Sequence, residues 1–257
     1  MSFPDKLRAI AFNILFYGSM TTFCIATSPV LLFPRRFILA FVHGYLAWVF
    51  FIEKHVLHLN HQVLGLENLP PAPYLVVSKH QSAWETLHIL QWFGDPVAIM
   101  KQELRRIPIF GWYAARMQMI DIDRSTPSKA WASIVEGATR AKSRGRSIVI
   151  FPEGTRVRPG VAKPWRSGAF RLQHMLELPV VPVALNSGLF WGRNSFWKKP
   201  GLITVEIMPP VPPGRDPLEV LGEVSRQVEA ASNRLSRKVG GPETPIPAAR
   251  AVSHAEG

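Results

Sequence analysis

The chain has 257 residues, 47% of them hydrophobic, and its 30 Lys and Arg residues against 18 Asp and Glu residues give a formal net charge of +12. This composition excludes disorder of the whole chain, and the single cysteine, Cys24, excludes an intramolecular disulfide and a cysteine-based zinc site. The basic charge favours an anionic partner: nucleic acid, an anionic membrane surface or a phosphorylated substrate. We expect no nucleic-acid partner, because the aromatic residues concentrate in the apolar N-terminal part instead of along a basic stripe.

The sequence of residues 1–58 predicts a membrane-associated helical hairpin. Two runs without a formal charge, 9–34 and 37–52, are separated only by Arg35 and Arg36. At about 1.5 Å per residue, the second run reaches only about 24 Å as a helix, short of a hydrocarbon core of about 30 Å. This favours a hairpin in one leaflet over a cleaved signal peptide, while two spanning helices stay open.

Three histidines follow the second apolar run at intervals of three residues: His55, His58 and His61. This spacing invites a metal-site interpretation. On a helix, however, the three side chains would drift around the surface instead of converging, and no carboxylate pattern joins them. We therefore predict polar residues at the water interface and expect no metal.

Residues 59–239 predict an α/β domain, and the Gly-, Pro- and Ala-rich residues 240–257 predict a disordered tail. Predicted strands and helices alternate along the domain, which indicates a central, mixed sheet flanked by helices. The predicted strands are 74–78, 97–100, 119–122, 147–151, 180–185 and 202–208. The predicted helices are 82–92, 131–144, 168–178 and a last helix that begins after Asp216.

Two side chains that could act in catalysis, His80 and Glu85, follow the first predicted strand of the domain. A histidine here can act as a general base, and a nearby carboxylate can hold its tautomer and stabilise the imidazolium. Five residues on a helix turn through a net angle of about 140°, so the two side chains meet only if His80 folds back from a loop. Residues Ser82 to Glu85 also match a capping box, which explains Glu85 without catalysis. Both interpretations stay open at this point.

The second strand end is the stretch Phe151–Arg156. Within it, Gly154 permits a tight backbone, Thr155 offers a hydroxyl, and Arg156 can clamp a phosphate through two donors. A solvated basic loop is the other interpretation. Lys101 and Arg124 each follow a predicted strand, and we expect both to line the same face as His80. No dinucleotide or nucleoside-triphosphate loop motif is present.

These blocks, in this order, resemble the glycerolipid acyltransferases, and most of all the bacterial type of 1-acyl-glycerol-3-phosphate acyltransferase. The resemblance runs over residues 60–210 and is most specific at Phe151–Arg156. There are two departures. The family carries Asp where this chain has Glu85, and it usually carries Gly where this chain has Gln118.

The resemblance implies roles for the candidate residues. His80 would deprotonate the free hydroxyl of a lysophospholipid, which attacks an acyl thioester, and Glu85 would orient His80. The residues that would bind the acceptor or its phosphate are Lys101, Arg124, Glu153, Gly154, Thr155 and Arg156, with Glu153 contacting the glycerol hydroxyl.

The resemblance also implies the partners. The acceptor would be 1-acyl-glycerol-3-phosphate (lysophosphatidic acid) and the product phosphatidic acid, with no cofactor beyond an acyl-coenzyme A or acyl carrier protein thioester as co-substrate. The protein would lie on a phospholipid membrane, at the cytoplasmic face of a bacterial inner membrane, where acyl thioesters are found. Two alternatives stay open: another acceptor, such as a lyso-ornithine lipid, and a non-catalytic phospholipid-binding membrane protein.

Overall fold

The computed structural model describes residues 1–107, 109–123 and 126–246. Within these ranges the chain forms seven strands and seven α-helices. The strands are β1 (Leu59–Leu64), β2 (Leu75–Ser78), β3 (Val97–Lys101), β4 (Ile120–Ile122), β5 (Ile148–Ile150), β6 (Val180–Leu185) and β7 (Gly201–Ile207). The helices are α1 (Phe3–Ala26), α2 (Arg35–Ile52), α3 (Trp84–Trp92), α4 (Phe110–Arg116), α5 (Pro127–Ser143), α6 (Gly168–Leu176) and α7 (Pro217–Arg237).

The seven strands form one mixed sheet in the order β1-β7-β6-β2-β5-β3-β4. Strands β2 to β6 run parallel to one another, β7 is antiparallel to β6, and β1 is parallel to β7. Strands β2 and β6 are buried along their whole length, as expected for central strands covered by helices on both faces. The predicted α/β fold with a central mixed sheet is confirmed.

Strand β1 was not expected from the sequence, and it changes the interpretation of the histidines. The chain leaves the helical segment at His58, whose φ of +55° ends the helix, and then pairs with the edge strand β7. His61 thus lies in β1, with its ring 4.7 Å from the ring of His88, while His55 and His58 are exposed. The prediction of interfacial residues is therefore wrong for His61. In the described part of the chain, no group of three or more His, Cys, Asp or Glu residues could hold a metal.

The hairpin of α1 and α2 lies along the surface of the domain. In the middle of α1, Phe12 and Phe16 contact the ring of Trp191 edge-on, at centroid distances of 5.4 and 5.6 Å. Just beyond its last residue, the hydroxyl of Tyr113 in α4 donates a hydrogen bond to the carbonyl oxygen of Thr27 at 2.9 Å. Helix α1 is therefore attached to the domain at its middle and at its C-terminal end.

A buried carboxyl group connects the hairpin to α3, the helix that carries Glu85. Helix α2 continues into a π-helical turn, Glu53–Leu57, and the buried Glu53 accepts a hydrogen bond from Nε1 of Trp84 at 3.1 Å. The same oxygen of Glu53 lies 3.0 Å from Nε2 of His88. Burial raises the pKa of Glu53 to about 8, although the hydrogen bond from Trp84 opposes this shift.

The C-terminal part of the domain both confirms and corrects the sequence analysis. Asp216 caps α7 as predicted, because its side chain accepts hydrogen bonds from the backbone amides of Leu218 and Glu219 at 2.8 and 3.0 Å. Beyond the helix, Thr244 is buried and its backbone exchanges two hydrogen bonds of 2.7 Å with the Asn233 side chain. Thr244 is thus bonded to α7, within the segment for which a disordered tail is predicted. The rest of that predicted tail, 247–257, lies outside the described residues.

Candidate active site

His80 lies just beyond the carboxyl end of β2, near the middle of the sheet. In α/β sheets, ligands bind outside the carboxyl ends of the parallel strands, which is where this histidine stands. Its imidazole stacks on the ring of Phe151 at a centroid distance of 4.1 Å, and 15% of its side chain is exposed. The imidazole is thus held against an apolar ring while part of it stays accessible to a ligand.

Glu85 receives four hydrogen bonds through its two carboxylate oxygens. Its Oε1 lies 2.9 Å from Nδ1 of His80 and accepts bonds from the backbone amides of Gln81 and Ser82, both at 2.7 Å. Its Oε2 accepts a bond from the hydroxyl of Ser187 at 2.8 Å. His80 folds back from the loop as the spacing requires, so Glu85 binds the backbone amides that precede the helix and contacts the histidine at the same time.

Ser187 is a member of this group that the sequence analysis missed. It follows β6, the neighbour of β2 in the sheet, and is completely buried. Its place after a strand is the only signal in the sequence, and a serine in that place is usually an ordinary turn residue. The hydrogen bond to Glu85 becomes visible only when β6 and β2 are aligned side by side.

A second buried carboxyl group supports the His80 loop from the other side. Oε2 of Glu153 accepts a hydrogen bond from the backbone amide of His80 at 2.9 Å, and Oε1 lies 2.8 Å from the ammonium of Lys79. Lys79 also pairs with Glu229 of α7. Burial raises the pKa of Glu153, and Lys79 and the backbone hydrogen bond oppose this shift. Glu153 is completely buried and holds the His80 loop, and its expected contact with a glycerol hydroxyl stays a prediction.

The stretch after β5 turns sharply and then opens into a basic cavity. Gly154 has a φ of +68°, a conformation that favours glycine, and a Cβ there would lie 3.1 Å from Nε of Arg166, whose side chain would have to shift slightly. The cavity beyond it has a volume of about 540 Å³. Its described lining includes four basic side chains and no acidic one. The basic residues are Arg156, Arg158, Lys163 and Arg193.

Arg156 is held at the edge of this cavity by the loop that follows β6. Its guanidinium donates to Oδ1 of Asn194 at 3.3 Å, and its carbonyl oxygen accepts a bond from Arg193 at 2.9 Å. Thr155 lines the same cavity. Four cations around one space with no carboxylate among its described lining residues provide a site for an anion, and guanidinium groups match the geometry of phosphate oxygens.

Two of the predicted phosphate ligands cannot be placed. Arg124 lies outside the described residues, and so does the side chain of Lys101. The backbone of Lys101 pairs with Ile122 at the carboxyl ends of the parallel strands β3 and β4, the same edge of the sheet that carries His80. Their participation in the site stays a prediction.

The structure explains how Gln118 can stand where the resemblance leads us to expect glycine. This residue has a φ of +59°, a conformation that glycine adopts at the least cost, which is consistent with the glycine expected from the resemblance. The Gln118 side chain accepts hydrogen bonds from Arg144 at 2.5 Å and from Arg146 at 3.3 Å. These bonds offset part of the backbone strain, so the chain keeps the same turn with a different residue.

The comparisons with known proteins agree with this geometry. The model of the acyltransferase family matches residues 60–186. A 1-acyl-sn-glycerol-3-phosphate acyltransferase from Pseudomonas aeruginosa is 30% identical over 259 residues, which cover 100% of this chain and 98% of the relative. One from Saccharomyces cerevisiae is 28% identical over 194 residues, which cover 74% of this chain and 64% of the relative.

A solved structure shares the fold. The crystal structure of the 1-acyl-sn-glycerophosphate acyltransferase from Thermotoga maritima matches with a TM-score of 0.75 and 23% identity. The match covers 90% of this chain and 97% of that one, so it includes most of the hairpin as well as the sheet. Together with the full-length bacterial relative, these findings show that the chain belongs to the acyltransferase family.

Proposed function

We propose that this protein transfers a fatty acyl group from a thioester to the sn-2 hydroxyl of 1-acyl-glycerol-3-phosphate and so forms phosphatidic acid. The name of its full-length relative supports this acceptor. The observation that carries the chemistry is the contact of His80 with Glu85 at 2.9 Å, at the carboxyl end of β2 and near a basic cavity. A base, a group that orients it and an anion site are what an acyl transfer to a phosphorylated alcohol requires.

His80 acts as the general base in this proposal. Its Nδ1 is engaged by Glu85, which leaves Nε2 to take the proton of the acceptor hydroxyl. The hydroxyl oxygen forms a bond to the thioester carbonyl carbon, and the C–S bond then breaks. The departing thiolate takes the proton back from the imidazolium, so His80 returns to its starting state. A base of this kind needs both substrates bound together, and no acyl-enzyme forms.

The basic cavity binds the phosphate of the acceptor. Among the cations that line this cavity, Arg156 is the nearest to Gly154 in the sequence, and its guanidinium can supply two parallel donors. Lys101 and Arg124 complete this set in the proposal, because their strands end at the same edge of the sheet. The phosphate fixes one end of the acceptor, so the sn-2 hydroxyl reaches His80 in one orientation.

The hairpin places the site at the surface of one membrane leaflet. By length and composition, Phe3–Ala26 and Arg35–Leu57 could each cross a membrane. Helix α1, however, contacts the domain in its middle through Phe12 and at its end through Thr27, which supports a position along the domain over one across a bilayer. The large apolar residues that face away from the domain include Ile14, Tyr17 and Ile25 of α1 and Phe37, Phe41 and Phe51 of α2.

This arrangement is typical of an interfacial protein with its apolar side in the acyl layer. The acceptor and the product then stay in the membrane, while the thioester arrives from water as acyl-coenzyme A or acyl carrier protein. We place the protein at the cytoplasmic face of a bacterial inner membrane for this reason. No further cofactor enters the reaction.

Acyl transfer by the purified protein tests this proposal. Oleoyl-coenzyme A and an acyl carrier protein thioester are each offered with 1-acyl-glycerol-3-phosphate, a lyso-ornithine lipid and a lysophospholipid with a phosphodiester head. We expect turnover with 1-acyl-glycerol-3-phosphate and much less with the other two, because four cations suit a phosphate monoester. Preference for another acceptor would contradict the proposed substrate, and no turnover with any pair would contradict the proposed reaction.

A further inference from the structure

A short segment outside the hairpin exposes large apolar side chains. The 3₁₀ turn Gln102–Arg106 and helix α4 form this segment, which we name the 104–112 patch after its first and last exposed apolar residues. Trp112 is 57% exposed and Phe110 is 43% exposed. The other exposed apolar residues of the patch are Leu104 and Ile107. Exposed apolar residues grouped in this way mark a contact surface more often than scattered ones do.

The patch is a fixed part of the domain. The backbone amide of Gly111 donates to the carbonyl oxygen of Ile107 at 2.8 Å. A Cβ on Gly111 would lie 2.0 Å from the carbonyl oxygen of Arg105, so only glycine lets α4 pack this closely on the turn before it. The apolar side chains are therefore presented from a compact unit.

The patch is continuous with the hairpin. Arg116 of α4 donates through Nε to the carbonyl oxygen of Leu31 at 2.7 Å, and Leu31 belongs to the connection between α1 and α2. The next two residues, Leu32 and Phe33, are exposed, Leu32 by 85%. The tip of the hairpin and the 104–112 patch therefore form neighbouring parts of one apolar surface.

An arginine-rich cavity lies next to the patch. It has a volume of about 230 Å³, several times the roughly 30 Å³ that one water molecule occupies in the liquid. Arg105 of the patch lines it and pairs with Asp121 at 2.6 Å, while Arg146 pairs with Asp95 at 3.1 Å.

Two further arginines of the cavity have weaker partners. Arg144 contacts the neutral amide oxygen of Gln118, and Arg140 lies 3.7 Å from Glu136 with both side chains largely exposed. The pKa of Arg146 is lowered by burial, Asp95 opposes this shift, and the nearby cations Arg35 and Arg144 add to it. The described lining thus carries an excess of positive charge around a space that admits a phosphate group.

We propose that the 104–112 patch and the adjoining arginine-lined cavity together form a docking surface for anionic phospholipid, separate from the cavity at Arg156. The apolar side chains enter the boundary of the acyl layer beside the hairpin tip, and Arg140 and Arg144 hold the phosphate of a headgroup. The cavity at Arg156 lies after β5, whereas this cavity lies near the start of β4, at the opposite ends of the parallel strands. The inference rests on the membrane placement proposed above and not on the reaction.

Vesicle binding by purified full-length variants tests both parts of the surface. The vesicles contain phosphatidylcholine alone or phosphatidylcholine mixed with phosphatidylglycerol. Replacing Phe110 and Trp112 by Ser is expected to weaken binding to both vesicles about tenfold, because partial burial of two aromatic side chains is lost. The matched control replaces Met175 and Leu218, exposed apolar residues of α6 and α7, by Ser.

Replacing Arg140 and Arg144 by Gln is expected to lower the affinity for the anionic vesicles about tenfold and to leave the affinity for phosphatidylcholine vesicles unchanged. The matched control replaces Arg237 and Lys238, exposed cations at the end of α7, by Gln. Turnover of all variants on a water-soluble short-chain acceptor in detergent should equal that of the wild type. This readout separates a failure of docking from a failure of the proposed reaction.

Three results would overturn the proposal. The first is that the Phe110 and Trp112 variant binds both kinds of vesicle like its control. The second is that the Arg140 and Arg144 variant keeps the preference for vesicles with phosphatidylglycerol. The third is that the wild type has no such preference. An inactive wild type with the expected binding pattern would contradict the proposed function and leave the docking surface supported.

Discussion

The His80 loop and the N-terminal hairpin are held by different kinds of interaction. Around His80, Glu85 satisfies four donors, and Glu153 binds both Lys79 and the backbone of the loop. The hairpin is held mainly by packing, with few polar anchors such as the contact of Asn13 with Lys198 at 2.5 Å.

The difference follows from what each region must do. A general base needs one fixed orientation, whereas contact with a membrane needs apolar area and only enough polar contacts to set its position. Substitutions around His80 should therefore change the rate of turnover with little effect on membrane binding. Substitutions at the anchors of the hairpin should change stability or membrane binding first.

Glu85 gives the largest expected effect among the residues that support His80. Glu85→Gln keeps the shape but replaces a carboxylate oxygen with an amide, and we expect kcat to fall about a thousandfold because the imidazolium loses its partner. Glu85→Asp should keep substantial activity, since the family uses Asp at this position. Steady-state kinetics of the two purified variants measure the effect, and a wild-type kcat in Glu85→Gln, which keeps an acceptor for the backbone amides, would show that the Glu85 carboxylate has no part in the reaction.

Ser187 tests whether the orientation of Glu85 matters as well as its presence. Ser187→Ala removes one hydrogen bond to a buried carboxylate, and we expect kcat to fall about tenfold with the acceptor KM unchanged. The control is Ser195→Ala, because the half-buried Ser195 has a side chain that bonds only to the backbone of Trp197. A rise in KM with kcat preserved would place Ser187 in substrate binding instead.

Asn13 tests the anchor of the hairpin. The pKa of Lys198 is lowered to about 8 by burial, so its ammonium form depends on the Asn13 oxygen for compensation. Asn13→Ala should lower the free energy of unfolding by about 2 kcal/mol at pH 7, measured by denaturation in detergent. Thr21→Ala on the same helix is the control, since its hydroxyl bonds only to the carbonyl oxygen of Tyr17. Equal free energies of unfolding in the two variants would show that Asn13 does not anchor the hairpin.

Replacing Glu53 should change how the stability of the protein depends on pH. In the folded protein its pKa is about 8, whereas an unfolded chain titrates near the ordinary value of 4.5, so the folded state holds an extra proton between these limits. Its stabilising contribution is complete below pH 4.5 and is lost as the pH rises through 8.

Glu53→Gln has no proton to lose and keeps an acceptor for Trp84. The variant should be more stable than the wild type above pH 8, and its stability should depend less on pH between 4.5 and 8. Thermal unfolding at several pH values measures this difference. A wild type with the same pH dependence as the variant would show that Glu53 titrates normally.

The central strands were predictable because they are continuous apolar runs that end at clear turns. Val180–Leu185 is the plainest case, since its predicted and observed limits agree. The cap at Asp216 was predictable for a local reason, a side chain bonding its own helix. Strand β1 was not, because three of its six residues are polar and only pairing with β7 makes it a strand.

The candidate site shows the same limit. His80 and Glu85 lie five residues apart, so local geometry was enough to predict that their side chains make contact if His80 folds back from the loop. Ser187 lies 102 residues from Glu85 in the sequence, and only the order of the strands brings it near. Full burial of Glu153 depends likewise on Lys79 and on Glu229 of α7, which no local pattern relates to one another.

The most direct test of the account compares the acyl-transfer rate of purified His80→Ala with that of His55→Ala, a histidine variant in an exposed position. Both proteins should bind vesicles like the wild type. The account predicts no measurable turnover of 1-acyl-glycerol-3-phosphate by His80→Ala and an unchanged rate for His55→Ala. Substantial turnover by folded, membrane-bound His80→Ala would contradict the assignment of His80 as the base.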